Sequence, residues 1–134
     1  MVVNVEYIFI LTCLLVVVLA QFSSEEVQNL LQYHEECKLK TNIDDYRVLN
    51  ILTGTFPDDP LLRRHVFCLS KKFGIQNEAG EIQRREVREK LEKLVNNSEK
   101  IDEIIKTCIV QKDDPEQTAV DIARCYIETI VVKS

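Results

Sequence analysis

Four cysteines, set among long stretches of helix-spaced apolar residues, constrain this chain more than any other feature. Thirty residues lie between Cys37 and Cys68, thirty-nine between Cys68 and Cys108, and sixteen between Cys108 and Cys125. No Cys-x-x-Cys pair occurs and the two histidines, His34 and His65, stand apart in the sequence, so the spacing does not suit zinc and no metal is expected. An even set of cysteines in an oxidising compartment forms two disulfides. Four cysteines allow three connectivities, and composition does not choose among them.

The compartment follows from the amino-terminal segment. A fifth cysteine, Cys13, lies inside an apolar run from Tyr7 to Ala20 that ends in Val18-Leu19-Ala20. That pattern predicts a secretory signal peptide at residues 1–20 and one domain at residues 21–134. The segment before the run departs from the usual form, since it holds Glu6 and no Lys or Arg. The run is shorter than the roughly 20 apolar residues of a membrane span and no basic stop-transfer cluster follows it, so stable membrane insertion is not expected. Cys13 sits in mid-run and leaves with the leader. The formal net charge is −5, and only Glu6 of the charged residues lies in the leader, so the mature domain stays acidic. An acidic surface argues against a nucleic-acid partner.

Periodicity predicts six helices and no strand. Ser23 with Glu26 forms a capping box for a first helix that carries Val27, Leu30, Leu31 and His34 and runs to about Lys40. A second, near Asp44 to Thr53, presents Tyr46, Leu49 and Leu52 and ends at Gly54. The connector Phe56-Pro57-Asp58-Asp59-Pro60 places Pro60 in the first turn of a third helix, which carries Leu62, Val66, Leu69 and Phe73 and stops at Gly74. Gly74 to Glu81 is not a calcium loop, because alternate positions that need oxygen ligands hold Ala79 and Ile82, and it reads as a tight polar turn.

The fourth helix is expected from about Gly80 to Val95, with Ile82, Val87, Leu91 and Leu94 inward and the mixed charges from Arg84 to Lys90 in solvent. Ser98 is placed at the cap of a fifth helix carrying Ile101, Ile104, Ile105, Cys108 and Ile109. Asn96-Asn97-Ser98 is a glycosylation triplet, but the capping role given to Ser98 argues for a chance occurrence. A sixth helix opens after Asp114-Pro115 and turns Ala119, Ile122, Ala123, Tyr126, Ile127 and Ile130 inward. The expected fold class is therefore all-α, about six helices with two disulfides.

The cysteine spacing resembles that of the insect odorant-binding proteins. Their usual pattern has six cysteines, the second four positions before the third and the fifth nine before the sixth. With Cys68 as third and Cys125 as sixth, the vacant positions are Arg64 and Glu116. In that family the two absent cysteines pair with each other, so their joint loss matches the four-cysteine Minus-C branch. His65-Val66-Phe67-Cys68, Gly74 to Gln83, Glu99-Lys100-Ile101-Asp102 and Lys112-Asp113-Asp114-Pro115 resemble the four-cysteine beetle members, which include hemolymph carriers and accessory-gland proteins. The resemblance implies the pairs Cys37–Cys68 and Cys108–Cys125. It also implies an internal apolar cavity between the helices, and a junction between the third and sixth helices that lacks its bridge and opens more readily. Arg64 and Glu116, opposite charges at the vacated positions, are either a partly exposed ion pair or two unrelated surface charges.

Function follows as an expectation from the same resemblance: a secreted carrier of a small hydrophobic ligand such as an odorant, pheromone, fatty acid or other lipid. Candidate lining residues are Leu31, Leu49, Leu52, Phe56, Val66, Leu69, Phe73 and Ile82 from the first four helices and their connectors. Val87, Leu91, Ile105, Ile109, Ile122, Tyr126 and Ile130 complete the set. Tyr126 is the candidate polar handle, with His34 and His65 as further polar contacts or pH-sensitive locks. No catalytic constellation converges, so neither an enzyme nor a cofactor is expected. A receptor or a weak homodimer are the protein partners considered, and sensory lymph, hemolymph or reproductive secretion the compartments. The alternative is a secreted seminal or hemolymph interaction or structural protein without a ligand.

Overall fold

The computed structural model describes residues 5, 6, 8–10, 12, 13, 24–52 and 55–132. The chain divides into two compact units, Met1–Tyr33 and His34–Ser134. The described residues before Ser24 are helical and exposed, including Cys13, whereas the expected cleavage pattern Val18-Leu19-Ala20 and Ser23 of the expected capping box lie outside the described residues. No described helix is long and apolar enough to cross a membrane.

Six α-helices follow in order: α1 Ser24–Thr41, α2 Asp45–Leu52, α3 Pro60–Lys72, α4 Arg84–Leu94, α5 Ser98–Cys108 and α6 Pro115–Tyr126. Local chemistry sets most of their ends. Asn42, at φ 58, turns the chain out of α1, and Asp44 Oδ1 accepts from the Arg47 amide at 2.8 Å to open α2. Asp59 and Asp114 cap α3 and α6, each followed by a proline whose missing N–H would have lacked a helical partner anyway. Thr53 and Gly54, the expected end of α2, lie outside the described residues.

Two apolar clusters form the core of the second unit, and α6 supplies both. The first joins Val87 and Leu91 of α4, Ile101, Ile104 and Cys108 of α5, Ile109, and Ile122 of α6. The second joins Ile43, Leu62 and Val66 of α3, and Ala119 and Val120 of α6. The packing of α3 on α6 is the most extensive between two helices among the described residues. This is the junction expected to be loosened by a missing disulfide. Side-chain packing closes it, and of the two readings of Arg64 and Glu116 the unrelated charges fit: Arg64 is exposed, Glu116 is half-buried in the first turn of α6, and no ion pair joins them among the described residues.

Four further expectations need correction. The fourth helix begins at Arg84, not Gly80, because Gly80 adopts φ 86 and Gln76 forms an antiparallel bridge with Ile82. Leu94 is 40 % exposed rather than inward, since Val87 and Leu91 alone carry the buried stripe of α4. The cap of α5 is Asn97, whose Oδ1 accepts from the amides of Glu99 and Lys100 at 3.0 and 3.2 Å, and Ser98 is the first helical residue. Tyr46 and Leu49 face solvent at 78 % and 55 % exposure, while Ile43 and the half-buried Val48 supply the contacts of that region. The sixth helix also changes type, passing into a π-helical turn at Ile127–Val132.

The polar turn after α3 is built around Gln76, which is 1 % exposed. Its Oε1 accepts from Ser70 Oγ at 2.7 Å, and its Nε2 donates to the carbonyls of Gly80 at 3.0 Å and Pro115 at 3.1 Å. A Cβ on Gly80 would stand 2.3 Å from Cβ of Pro115, whereas one on Gly74, at φ 75, would meet nothing within 4 Å. Gly74→Ala should therefore lose only the left-handed conformational penalty of about 1–2 kcal/mol. Gly80→Ala should lose at least about 2 kcal/mol more, because the start of α6 must move. Urea-denaturation midpoints of the two variants test this, and equal losses would count against the Gly80–Pro115 contact.

Candidate functional site

The largest coherent group of expected lining residues lies in the first cluster. Val87, Leu91, Ile109 and Ile122 are buried there, with Ile82, Ile105 and Tyr126 packed against it. Val66 is buried in the second cluster, with Phe56 packed on it under the Arg124 guanidinium, 5.4 Å from the ring centre. Leu69, in the last turn of α3, and Phe73, the residue that caps its C-terminus, are half-buried. Leu49 faces solvent; Leu31 belongs to the amino-terminal unit and is 60 % exposed. The side chains of Leu52 and Ile130 lie outside the described residues. The structure thus brings seven of the candidates together between α4, α5 and α6, and leaves others on a separate cluster or on the surface.

Two disulfides cross-link the helices, one of them at this cluster. Cys108–Cys125 joins the end of α5 to α6 with a Cα–Cα distance of 5.4 Å, and Cys37–Cys68 joins α1 to α3 at 5.8 Å. Beside the second bridge a polar cleft of about 140 Å³ opens between Lys40, Lys71, Lys72 and Glu78. Lys71 and Lys72 are already engaged by Glu78 and Glu36, at 3.4 and 2.7 Å. This is not the lining an apolar molecule requires.

The two histidines, far apart in the sequence, meet in the fold. His34 Nδ1 lies 3.0 Å from His65 Nε2, with the rings edge to face at 79°. Donor roles along this chain follow from its far end. Thr41 Oγ1 donates its only proton to the Cys37 carbonyl at 2.9 Å, so it must accept from His65 Nδ1 at 3.1 Å. His65 is then the Nδ1–H tautomer, and its bare Nε2 accepts from His34 Nδ1. The other nitrogen of His34 faces Asp45 Oδ1 at 3.6 Å, an oxygen that also accepts from Lys38 Nζ at 2.8 Å. The Lys38 hydrogen bond holds the Asp45 carboxyl below its usual range. His65 is fully buried, and burial together with the neighbouring His34 lowers its pKa to about 4.

Against this geometry the comparisons with known proteins are decisive. Residues 19–129 match the PBP/GOBP family. The chain belongs to the PBP/GOBP family. The B1 protein of Tenebrio molitor is 33 % identical over 119 residues, covering 88 % of this chain and 92 % of that protein. The B2 protein of the same beetle is 30 % identical over 115 residues, covering 86 % and 90 %. Among solved structures, the THP12 carrier protein from yellow meal worm superimposes with a TM-score of 0.56 and 28 % identity, over 67 % of this chain and 83 % of that one. Odorant binding protein 4 of Chrysopa pallens superimposes with a TM-score of 0.68 at 19 % identity, over 84 % and 97 %, a likeness of fold.

In this PBP/GOBP chain the bridges are the two that the cysteine spacing implies by resemblance. Helical periodicity alone does not place His34 against His65. A signal for that contact exists: His34 and His65 each stand three residues before a cysteine of the same disulfide, on that cysteine's helix face.

The sign of the resulting pH dependence is fixed. An unfolded histidine titrates near 6.5 and folded His65 near about 4, so between those values the unfolded chain holds more protons. The stability from keeping His65 neutral is complete above about pH 6.5 and is lost as pH falls toward about 4, where two N–H groups come to oppose each other across the His34–His65 contact. His65→Gln should flatten the slope of urea midpoint against pH in that window, by up to about tenfold in the folding constant per pH unit. Parallel slopes for parent and variant would show that His65 is not the buried titrating group.

Proposed function

We propose that this PBP/GOBP protein is a secreted carrier that takes one small hydrophobic ligand against the apolar surfaces of α4, α5 and α6. The observation that carries the reading is the family match over residues 19–129 together with the seven candidate side chains gathered in the first cluster. Entry into the secretory route rests on residues 1–20, and the start of the family match at residue 19 supports a boundary there. Two disulfides suit an oxidising extracellular compartment. The printed name of the meal-worm neighbour, a carrier protein, points the same way.

Ligand affinity in such a site comes from removing apolar surface from water. A ligand burying about 500 Å² gains about 12 kcal/mol at about 25 cal/mol per Å², before the cost of immobilising it. Odorants, pheromones and fatty acids all fit that description, with Tyr126 as the proposed polar contact on the rim of the cluster.

Titration of the secreted protein with an apolar fluorescent naphthylamine should show saturable binding in the micromolar range, reversed by a long-chain alcohol or fatty acid. Leu91→Asp should abolish it, and Tyr126→Phe should weaken hydroxyl- or carboxyl-bearing competitors about tenfold while sparing alkanes. Absence of probe uptake, joined to native mass spectra with no bound molecule, would favour a ligand-free interaction or structural role instead.

A further inference from the structure

The connection between α4 and α5 carries Asn96-Asn97-Ser98, the only Asn-x-Ser/Thr triplet in the sequence. An acceptor triplet is usable when its asparagine carboxamide and its serine hydroxyl are both accessible and neither is committed to the fold. In the structure Asn97 alone caps α5, through hydrogen bonds from Glu99 and Lys100. Ser98 is exposed, and its hydroxyl makes no hydrogen bond among the described residues. Asn96 is exposed in a bend, between Val95 at φ −121, ψ 121 and Asn97 at φ −155, ψ 110, both extended. Val95 packs against the first apolar cluster and anchors this short segment from behind. Extended backbone on either side of Asn96, an exposed carboxamide and an exposed hydroxyl thus coincide in one surface segment.

We propose that Asn96 carries an N-linked oligosaccharide. The inference rests on the secretory reading of residues 1–20, since the transferase and its donor belong to that route. Asn96 Nδ2 attacks the anomeric carbon of a lipid-diphosphate-linked oligosaccharide. The new carbon–nitrogen bond replaces the bond to the diphosphate oxygen, the lipid diphosphate leaves with the electron pair, and the proton from Nδ2 passes to a basic group of the transferase. Because the cap is the neighbouring Asn97, the sugar displaces no hydrogen bond of the fold.

The full chain, expressed in insect cells, is recovered from the medium and weighed intact before and after peptide-N-glycosidase treatment in heavy-oxygen water. The expected result is a heavier species that collapses to the polypeptide mass, with Asn96 converted to labelled Asp. Asn96→Gln and Ser98→Ala should each remove the heavier species completely, Ser98→Ala with an unchanged urea midpoint because the cap remains. Ser98→Thr should keep it, and so should Asn97→Asp, which preserves both cap and triplet. A secreted, leader-cleaved protein with an unmodified Asn96 peptide overturns the proposal. A chain retained in the cell with residues 1–20 still attached overturns it too, but through the secretory reading, and the amino-terminal peptide in the same spectra tells the two failures apart.

Discussion

The buried side chain of Gln76 is the constraint on which the arrangement of the second unit depends. An amide removed from water costs about 1–3 kcal/mol for each donor or acceptor left unpaired, so all its bonds must form together. Here they run to the end of α3 through Ser70, to the polar turn through Gly80, and to the start of α6 through Pro115. One side chain therefore sets where α6 begins relative to where α3 ends. The close approach of Gly80 to Pro115 is the steric counterpart of the same bonds. Gln111 reinforces them, accepting from the Ile82 amide at 2.8 Å and donating to the Gly80 carbonyl at 3.2 Å.

With α6 so placed, its two faces do different work. Ile122 turns to the first cluster, while Ala119 and Val120 turn to the second. Small residues at Ala119 and Ala123 let Leu62 and Val66 of α3 settle between the turns of α6, which accounts for the extent of that contact despite the missing bridge. The two disulfides act elsewhere, on the α1–α3 and α5–α6 pairs, and chiefly by limiting the unfolded chain, about 3–4 kcal/mol each in the loop-entropy description. Covalent constraint and packing are thus divided among different helix pairs.

What the sequence made legible was local. Six helices follow from apolar residues at helical spacing, and the Asp-Pro caps at Asp59-Pro60 and Asp114-Pro115 are short-range chemistry that any context preserves. The start of α4 was not legible. The charged stretch after Gln83 is good helix composition, and composition does not show how far the turn that ties Gly80 and Glu81 back to Asn77 extends, nor that Gly80 meets Pro115 thirty-five residues on. Asn97 and Ser98 are both good caps, and a one-residue register decides between them. The exposure of Tyr46 and Leu49, and the meeting of His34 with His65, likewise depend on partners distant in sequence.

The candidate site was legible as a set but not as a place, for a physical reason. A side chain that would line a ligand and one that fills a core have the same composition and the same spacing, so periodicity cannot separate them. Position in the fold does separate them. α5 and α6 are covalently joined, but α4 contains no cysteine and is held by Val87 and Leu91. Its outer face adds the solvent-exposed Arg88–Asp102 pair at 3.0 Å, worth at most about 1 kcal/mol. Of the three walls around the first cluster, α4 is therefore the one whose displacement breaks the fewest strong constraints. Local opening in that region ranks α4 first.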